Sequence, residues 1–465
     1  MNPILLKELR QSVRNRVVLG AYLLYILALL VLAGVVAVNG YANPAVTLGH
    51  RLFGWVAGLA AFILFVFVPL QTLLRLMRER WRADPDLQYI APLAPSAFAL
   101  GKLASGFALA GLFAAASAPF LFIAYFLGGV DIPNLLFCVA AAAAILLGAL
   151  LAAILIGIAP MPKFIRWLAG LGFAGLLMLI THSLVKEVLL DDGLDPGFAA
   201  GLFERESVCE FLTVCLAALS LAAILHTGVI AGFRDPGTNR MRPLRVASAA
   251  VGLGWLAWLT FLKFTTNTFD EHIKMAKVLM LCGMIIACGA SLLCVFAASE
   301  RDTFSMRRLQ NAPRGIFKRV LAWLLDNGQM GGMSMNLLLV FAGLLLVGYH
   351  NLACASSNEM FYGIFPMTVC AYALTFTLAW RFIFRRWFRN TLLWLYTAAS
   401  VAVLGVVFTA LSEAGILPEN FPGNAFIDDN AHWAAVALYI WNGLALLAFV
   451  PLAVRDFFKF HKECL

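Results

Sequence analysis

A mixed-charge pair ahead of an Ala-Pro occurs twice in this chain. Glu79-Arg80 precedes Ala91-Pro92 and Glu300-Arg301 precedes Ala312-Pro313, with the Glu thirteen residues before the Pro each time. A Leu-Gln pair stands just upstream of each Ala-Pro, at Leu87-Gln88 and Leu309-Gln310. The first pair opens RERWRADPDLQYIAPLAP, where acids stand among the bases and Pro85, Pro92 and Pro95 cut the segment into short pieces. That composition suits either a brief helix that recognises a partner by charge or a solvated loop. Patterns for bond-making chemistry are sparse. No G-x-x-x-x-G-K-[ST] phosphate loop is present, and the nearest stretch, SAFALGKL at 96–103, lacks the first Gly and the final hydroxyl. Neither H-E-x-x-H nor G-x-S-x-G occurs. Asp270-Glu271-His272 sits near Lys274 and Lys277 and reads as a solvated charge cluster rather than a carboxylate–histidine site. His182 and His226 fall towards helix ends, where an imidazole reaches water or a carbonyl. Cys282, Cys288 and Cys294 recur every six residues in one apolar run, a packing pattern rather than metal-ligand spacing, while Cys209 and Cys354 are outer-side candidates for pairing that read more readily as core thiols. No catalytic residue, cofactor or metal site is expected.

The opening stretch MNPILLKELRQSVRNR carries a different signal. On a helix of 3.6 residues per turn, Leu5, Leu9 and Val13 share one face, and Lys7, Arg10 and Arg14 form a second stripe. Asn2 followed by Pro3 suits a helix start. An apolar stripe beside a cationic one fits a helix over 2–14 lying in a membrane interface, with its cations among lipid headgroups. A pure topology signal is the other reading, although charge retention needs no amphipathic spacing. The apolar run that follows is too long for a signal-peptide core.

These charged segments need a scaffold to hold them, and composition names its kind. Of 465 residues 62% are hydrophobic and only 13% charged, about half the charged share of a soluble domain. A span of the bilayer's hydrocarbon core takes about 20 apolar residues. Twelve such runs occur: 17–38, 52–74, 103–127, 134–158, 164–184, 209–232, 246–264, 276–298, 335–355, 361–384, 391–412 and 432–453. Helices are expected, because backbone groups in lipid must be satisfied within the segment. Twelve spans put 28 of the 34 Lys and Arg on the side of the N-terminus; only Arg51, Lys186, Arg205, Lys263, Lys274 and Lys277 fall opposite. Acids sort the other way, 10 against 15. Positive charge stays cytoplasmic, so both termini are expected inside. The net charge of +9 then reflects topology and gives no reason to expect nucleic-acid binding. No span carries a central Asp, Glu or Lys, which argues against an ion-coupled transporter.

The basic segment FRDPGTNRMRPLR at 233–245 falls at the midpoint, directly before the seventh run, and the paired Glu-Arg segments occupy equivalent places before and after it. The expected architecture is all-α: two fused six-helix halves, 1–232 and 233–465, with long cytoplasmic loops at 75–102 and 299–334. Halves that both begin inside are parallel repeats.

MNPILLKELR running straight into a span resembles the N-terminus of type-2 ATP-binding-cassette (ABC) transporter permeases, the exporter-like membrane subunits. RERWRADPDLQYIAPLAPSAFALGK is similar to that family's first cytoplasmic loop, with Glu79, Arg80, Leu87, Pro92, Gly101 and Lys102 at matching places. APFLFIAYFLGGV at 118–130, a Pro-containing span ending in a Gly pair, also looks like the family. The likeness is best over about 1–130 and fainter at 233–334, where the second loop keeps Glu-Arg but lacks the Gly-Lys. It implies an interfacial helix bearing Leu5, Lys7, Leu9, Arg10, Val13 and Arg14, and a coupling segment over about 78–92. It further implies that a separate ABC ATPase chain is contacted through Arg78, Glu79, Arg80, Asp84, Asp86 and Leu87, with Glu300 and Arg301 as the second-half counterparts. The chain would then be a non-enzymatic permease in a bacterial cytoplasmic membrane, in contact with lipids and an unspecified substrate. Two other classes stay open: a polytopic enzyme acting on lipid-linked substrates, and a non-transporting scaffold for cell-envelope assembly.

Overall fold

A computed structural model of the chain describes residues 3–42, 48–82, 94–128, 131–158, 163–186, 205–234, 239–265, 315–325, 330–338 and 430–463. Throughout these residues the regular structure is helical, and no strand occurs among them. The chain divides into two compact units, Met1–Asp235 and Pro236–Leu465, with the boundary inside the basic 233–245 segment.

Unit 1 contains α1 (Pro3–Val13), α2 (Arg16–Ala42), α3 (Leu48–Phe62), α4 (Val68–Arg82), α5 (Pro95–Phe126), α6 (Ile132–Ile158), α7 (Lys163–Leu184) and α8 (Arg205–Phe233). Six helical stretches among the described residues are long and apolar enough to cross a membrane: Arg16–Val36, Gly49–Glu79, Pro95–Phe126, Ile132–Ile158, Arg166–Leu184 and Phe211–Phe233. They match the first six expected runs. Their outer faces carry bare apolar side chains, among them Leu23, Leu24, Phe126, Leu171 and Leu219, which are more than half exposed. Water would not tolerate so much contiguous apolar surface, whereas hydrocarbon does. The protein is a multi-pass integral membrane protein.

A break separates α1 from α2 because Asn15 caps the second helix: its Oδ1 accepts the Val17 N–H at 3.0 Å. Between α3 and α4 the helix instead widens into a π-turn at Ile63–Phe67, where the Val68 N–H reaches the Ile63 carbonyl. Pro69 follows directly and has no N–H to give the preceding turn, so a wider turn there relieves its ring of the carbonyl four residues back. The helix then continues as far as Arg82. This corrects the sequence expectation of a loop over 75–102: helix occupies 75–82 and 95–102, and the residues between 83 and 93 lie outside the described set.

α6 sits centrally, packing on α4, α7 and α8, while α5 packs on α3 and α1. Phe113 on α5 is 1% exposed, and Tyr22, Tyr25 and Phe67 meet it edge-on with ring centroids 5.5, 5.6 and 5.7 Å away. Leu73 and Met77 of α4 pack with Ala149 and Ala153 of α6 and with Phe173 and Leu177 of α7. Gly157 lets α6 approach α4 closely: a Cβ there would lie 2.6 Å from Leu76 Cδ2.

Unit 2 contains α9 (Arg242–Thr265), α10 (Ile316–Leu325), α11 (330–338) and α12 (Asn430–Glu463). α9 and α12 cover the expected runs at 246–264 and 432–453, while those at 276–298, 361–384 and 391–412, and nearly all of 335–355, fall outside the described residues. The expected cytoplasmic loop over 299–334 holds α10 and the start of α11. Trp323, Met330, Met333, Phe449 and Phe460 form the unit's small described core. Arg245 donates to the Leu324 carbonyl at 2.8 Å, a cation at a helix C-terminus where the peptide dipoles favour it.

Candidate functional site

The described charged side chains that sink deepest in unit 1 meet at one place, between α1, α4 and α5. Glu8 of α1 is 1% exposed and Lys102 of α5 is 4% exposed. Arg75 Nη1 donates to Glu8 Oε2 at 2.9 Å and to the Glu8 carbonyl at 3.1 Å. Lys102 Nζ bridges Glu8 Oε1 and Glu79 Oε2 and stands 5.9 Å from the centre of the Phe98 ring. Two carboxylates and two cations thus close a neutral cluster, in which Lys102 ties the acid of α1 to the acid near the end of α4.

Local sequence explains how each side chain arrives. Ile4, Glu8 and Ser12 are spaced four apart and form the buried face of α1. Gln71, Arg75 and Glu79 repeat the same spacing on α4, making a polar stripe towards α1 and α5. The hydroxyls of Ser12, Thr72 and Ser105 each donate back to a carbonyl of their own helix, at 2.9, 2.9 and 2.7 Å, which leaves their lone pairs facing the cluster. A cavity of about 10 Å³ lies among Ser12, Gln71, Thr72, Arg75, Lys102 and Ser105, room for about one water. Burial pushes the Glu8 carboxyl up, but Lys102 and Arg75 more than offset this and hold it below the ordinary 4.5. Glu8 is therefore charged near neutrality, and the cluster is ionic.

Each ion here has been taken out of water, so the pairing confers geometric definition more than net stability. Removing one member costs about 3–5 kcal/mol, because its partner stays buried and uncompensated. The arrangement suits mechanical linkage: α1, the end of α4 and the start of α5 cannot move apart without exposing unpaired charge. One atom is left over, since Glu79 Oε1 is buried and has no hydrogen-bond partner.

Of the residues singled out by sequence, Glu79 and Lys102 come together here, and Gly101 is buried beside Lys102. Arg78 is exposed, Arg80 lies in α4 with its side chain outside the described set, and Asp84, Asp86, Leu87, Glu300 and Arg301 also fall outside it. On α1, Lys7, Arg10, Arg14 and Val13 are exposed and Leu5 and Leu9 are half-buried. The face turned to the protein is the one holding Glu8, next to the leucine stripe. His182 is exposed and His226 half-buried. Sequence reasoning passed over Glu8 and Arg75. A signal for Glu8 was present: it is the one acid in the first 78 residues, set among four cations. For Arg75 the signal was the Gln71–Arg75–Glu79 spacing.

No family model matches the chain, and neither the curated proteins nor the solved structures contain a match to it.

Proposed function

We propose that this chain is the membrane-spanning permease subunit of an ABC exporter, powered by a separate P-loop ATPase subunit in a bacterial cytoplasmic membrane. The observation that carries the reading is the convergence of three segments. The acid of MNPILLKELR, the Glu of the Glu-Arg pair and the Lys of the Gly-Lys pair meet in one buried cluster. These segments are also the ones that resemble type-2 permeases.

In this reading the chain crosses the membrane twelve times in two six-helix halves, with both termini cytoplasmic. It does no bond chemistry itself. The ATPase dimer docks beneath the segment 78–92, with Arg78, Glu79, Arg80, Asp84, Asp86 and Leu87 at the contact and Glu300 and Arg301 as their second-half counterparts. Closure of the ATPase pushes on the end of α4. Lys102 transmits that displacement to α5 and, through Glu8, to α1, so the three helices tilt as one body.

The test is purification of the tagged full-length chain from its native membrane, followed by ATPase measurement in lipid nanodiscs. A co-purifying P-loop ATPase is expected, with turnover that falls at least about tenfold in Glu8→Gln while the complex stays assembled. Absence of any ATPase, or unchanged turnover in Glu8→Gln and Glu79→Gln, overturns the reading. Lipid-linked group transfer lost on changing Asp270 or Glu271 would instead favour a membrane enzyme.

A further inference from the structure

α12 is longer than a membrane crossing. Its 34 residues run about 51 Å at 1.5 Å per residue, against about 30 Å of hydrocarbon. The apolar stretch ends near Ala453, and the last three turns continue past it. One face of that extension is bare: Arg455, Phe458, Lys459 and Lys462 follow at helical spacing, all exposed. Its other side is anchored on α10. Asp456 accepts from Trp323 Nε1 at 3.3 Å, Arg319 pairs with His461 Nδ1 at 3.2 Å, and the rings of Phe457 and Trp323 meet edge-on at 5.7 Å.

α10 leaves apolar side chains outward, with Ile316, Phe317 and Leu321 all more than half exposed. Arg319 and Trp323 are buried, while Phe317 is 83% exposed beside exposed Lys318. A water-facing helix would be built the other way round. The α12 face offers an exposed aromatic ring, Phe458, among three exposed cations, Arg455, Lys459 and Lys462, while α10 exposes Phe317 and Lys318. On this extension Asp456 accepts from Trp323 Nε1, and the sequence carries one further acid there, Glu463, beside Lys462.

We propose that the α12 face docks anionic phospholipid headgroups: the Phe458 ring enters the acyl boundary and Arg455, Lys459 and Lys462 take the phosphates. Charge complementarity selects the occupant. The extension carries three cations against two acids, one of which is turned to Trp323, so its exposed face is basic on balance. A zwitterionic headgroup gives such a face no net gain, whereas each basic residue near an anionic surface gains about fivefold in affinity. The position selects it too, since a helix leaving the hydrocarbon carries its next turns through the headgroup layer. The proposal is independent of transport and needs only a membrane.

The experiment replaces Phe458 by photoreactive p-benzoylphenylalanine in the full-length chain. The protein is held in nanodiscs of phosphatidylcholine with a minor share of phosphatidylglycerol, and the crosslinked species are identified by mass spectrometry. Phosphatidylglycerol adducts should exceed their share of the bilayer at least about fivefold. The combined Arg455→Gln, Lys459→Gln and Lys462→Gln background, altered only at exposed positions, should return them to that share. Labelling in proportion to lipid composition, enrichment that survives the Gln background, or adducts to protein instead of lipid would each overturn the proposal.

Discussion

Replacing Glu8 by Met separates the ionic linkage of α1 from its packing. The side chain is 1% exposed, and its two oxygens engage Arg75 and Lys102 separately. Met keeps the length and fills the space, so the loss is electrostatic. Lys102 keeps Glu79, but Arg75 loses both its acid partner and the fixed geometry of α1. The expected cost is about 3–5 kcal/mol, a large share of the roughly 5–15 kcal/mol that holds a domain folded. Glu8→Met with Lys102→Met then removes one charge of each sign. Arg75 and Glu79 remain four residues apart on α4 and can pair across one turn, so the double variant should recover to within about 1 kcal/mol of wild type. The assay is a double-mutant cycle on unfolding in nanodiscs, including both single variants. A coupling energy below about 1 kcal/mol would refute the linkage, as would a double variant no better than the sum of the singles. The cycle also has a pH signature. The Glu8 carboxyl is depressed in the folded protein relative to its ordinary 4.5, so its contribution is complete above that value. The contribution is lost as pH falls below 4.5 through the folded value. Wild type should lose stability in that acid window more steeply than the double variant.

Phe113→Ala should cost about 3–5 kcal/mol in thermal unfolding, because three aromatic rings lose their common partner; Phe113→Leu should cost less than half of that. Gly331→Ala places a Cβ 2.2 Å from the Trp323 carbonyl, a backbone atom with no rotamer to escape into. It should destabilise α10 against α11 by about 1–3 kcal/mol, read as faster proteolysis there with the helices of unit 1 unaffected. On the proposed permease function, Leu9→Asp, on the half-buried flank of α1, should abolish transport while leaving membrane insertion intact. Normal transport in that variant would reduce the N-terminal helix to a topology signal.

How much was legible in the sequence follows from which forces are local. Lipid leaves a backbone no hydrogen-bond partner outside its own helix, so a run of about 20 apolar residues dictates a helix wherever it lies in the chain. The first six spans could therefore be read from sequence. Loop limits were less legible: polar Arg75 and Glu79 looked like the start of a loop, yet they continue α4 because their charges are met inside the protein. The choice of partners was decided only by the tertiary structure. Glu8 meets Arg75 from 67 residues away and Lys102 from 94. Which face of α1 turns inward depends on the rotation of three helices about their axes. The leucine stripe and the Glu8 face lie side by side on that helix, and hydropathy points to the leucines. Pairing reverses that preference, since an acid that finds two cations in a buried site is better placed there than among headgroups.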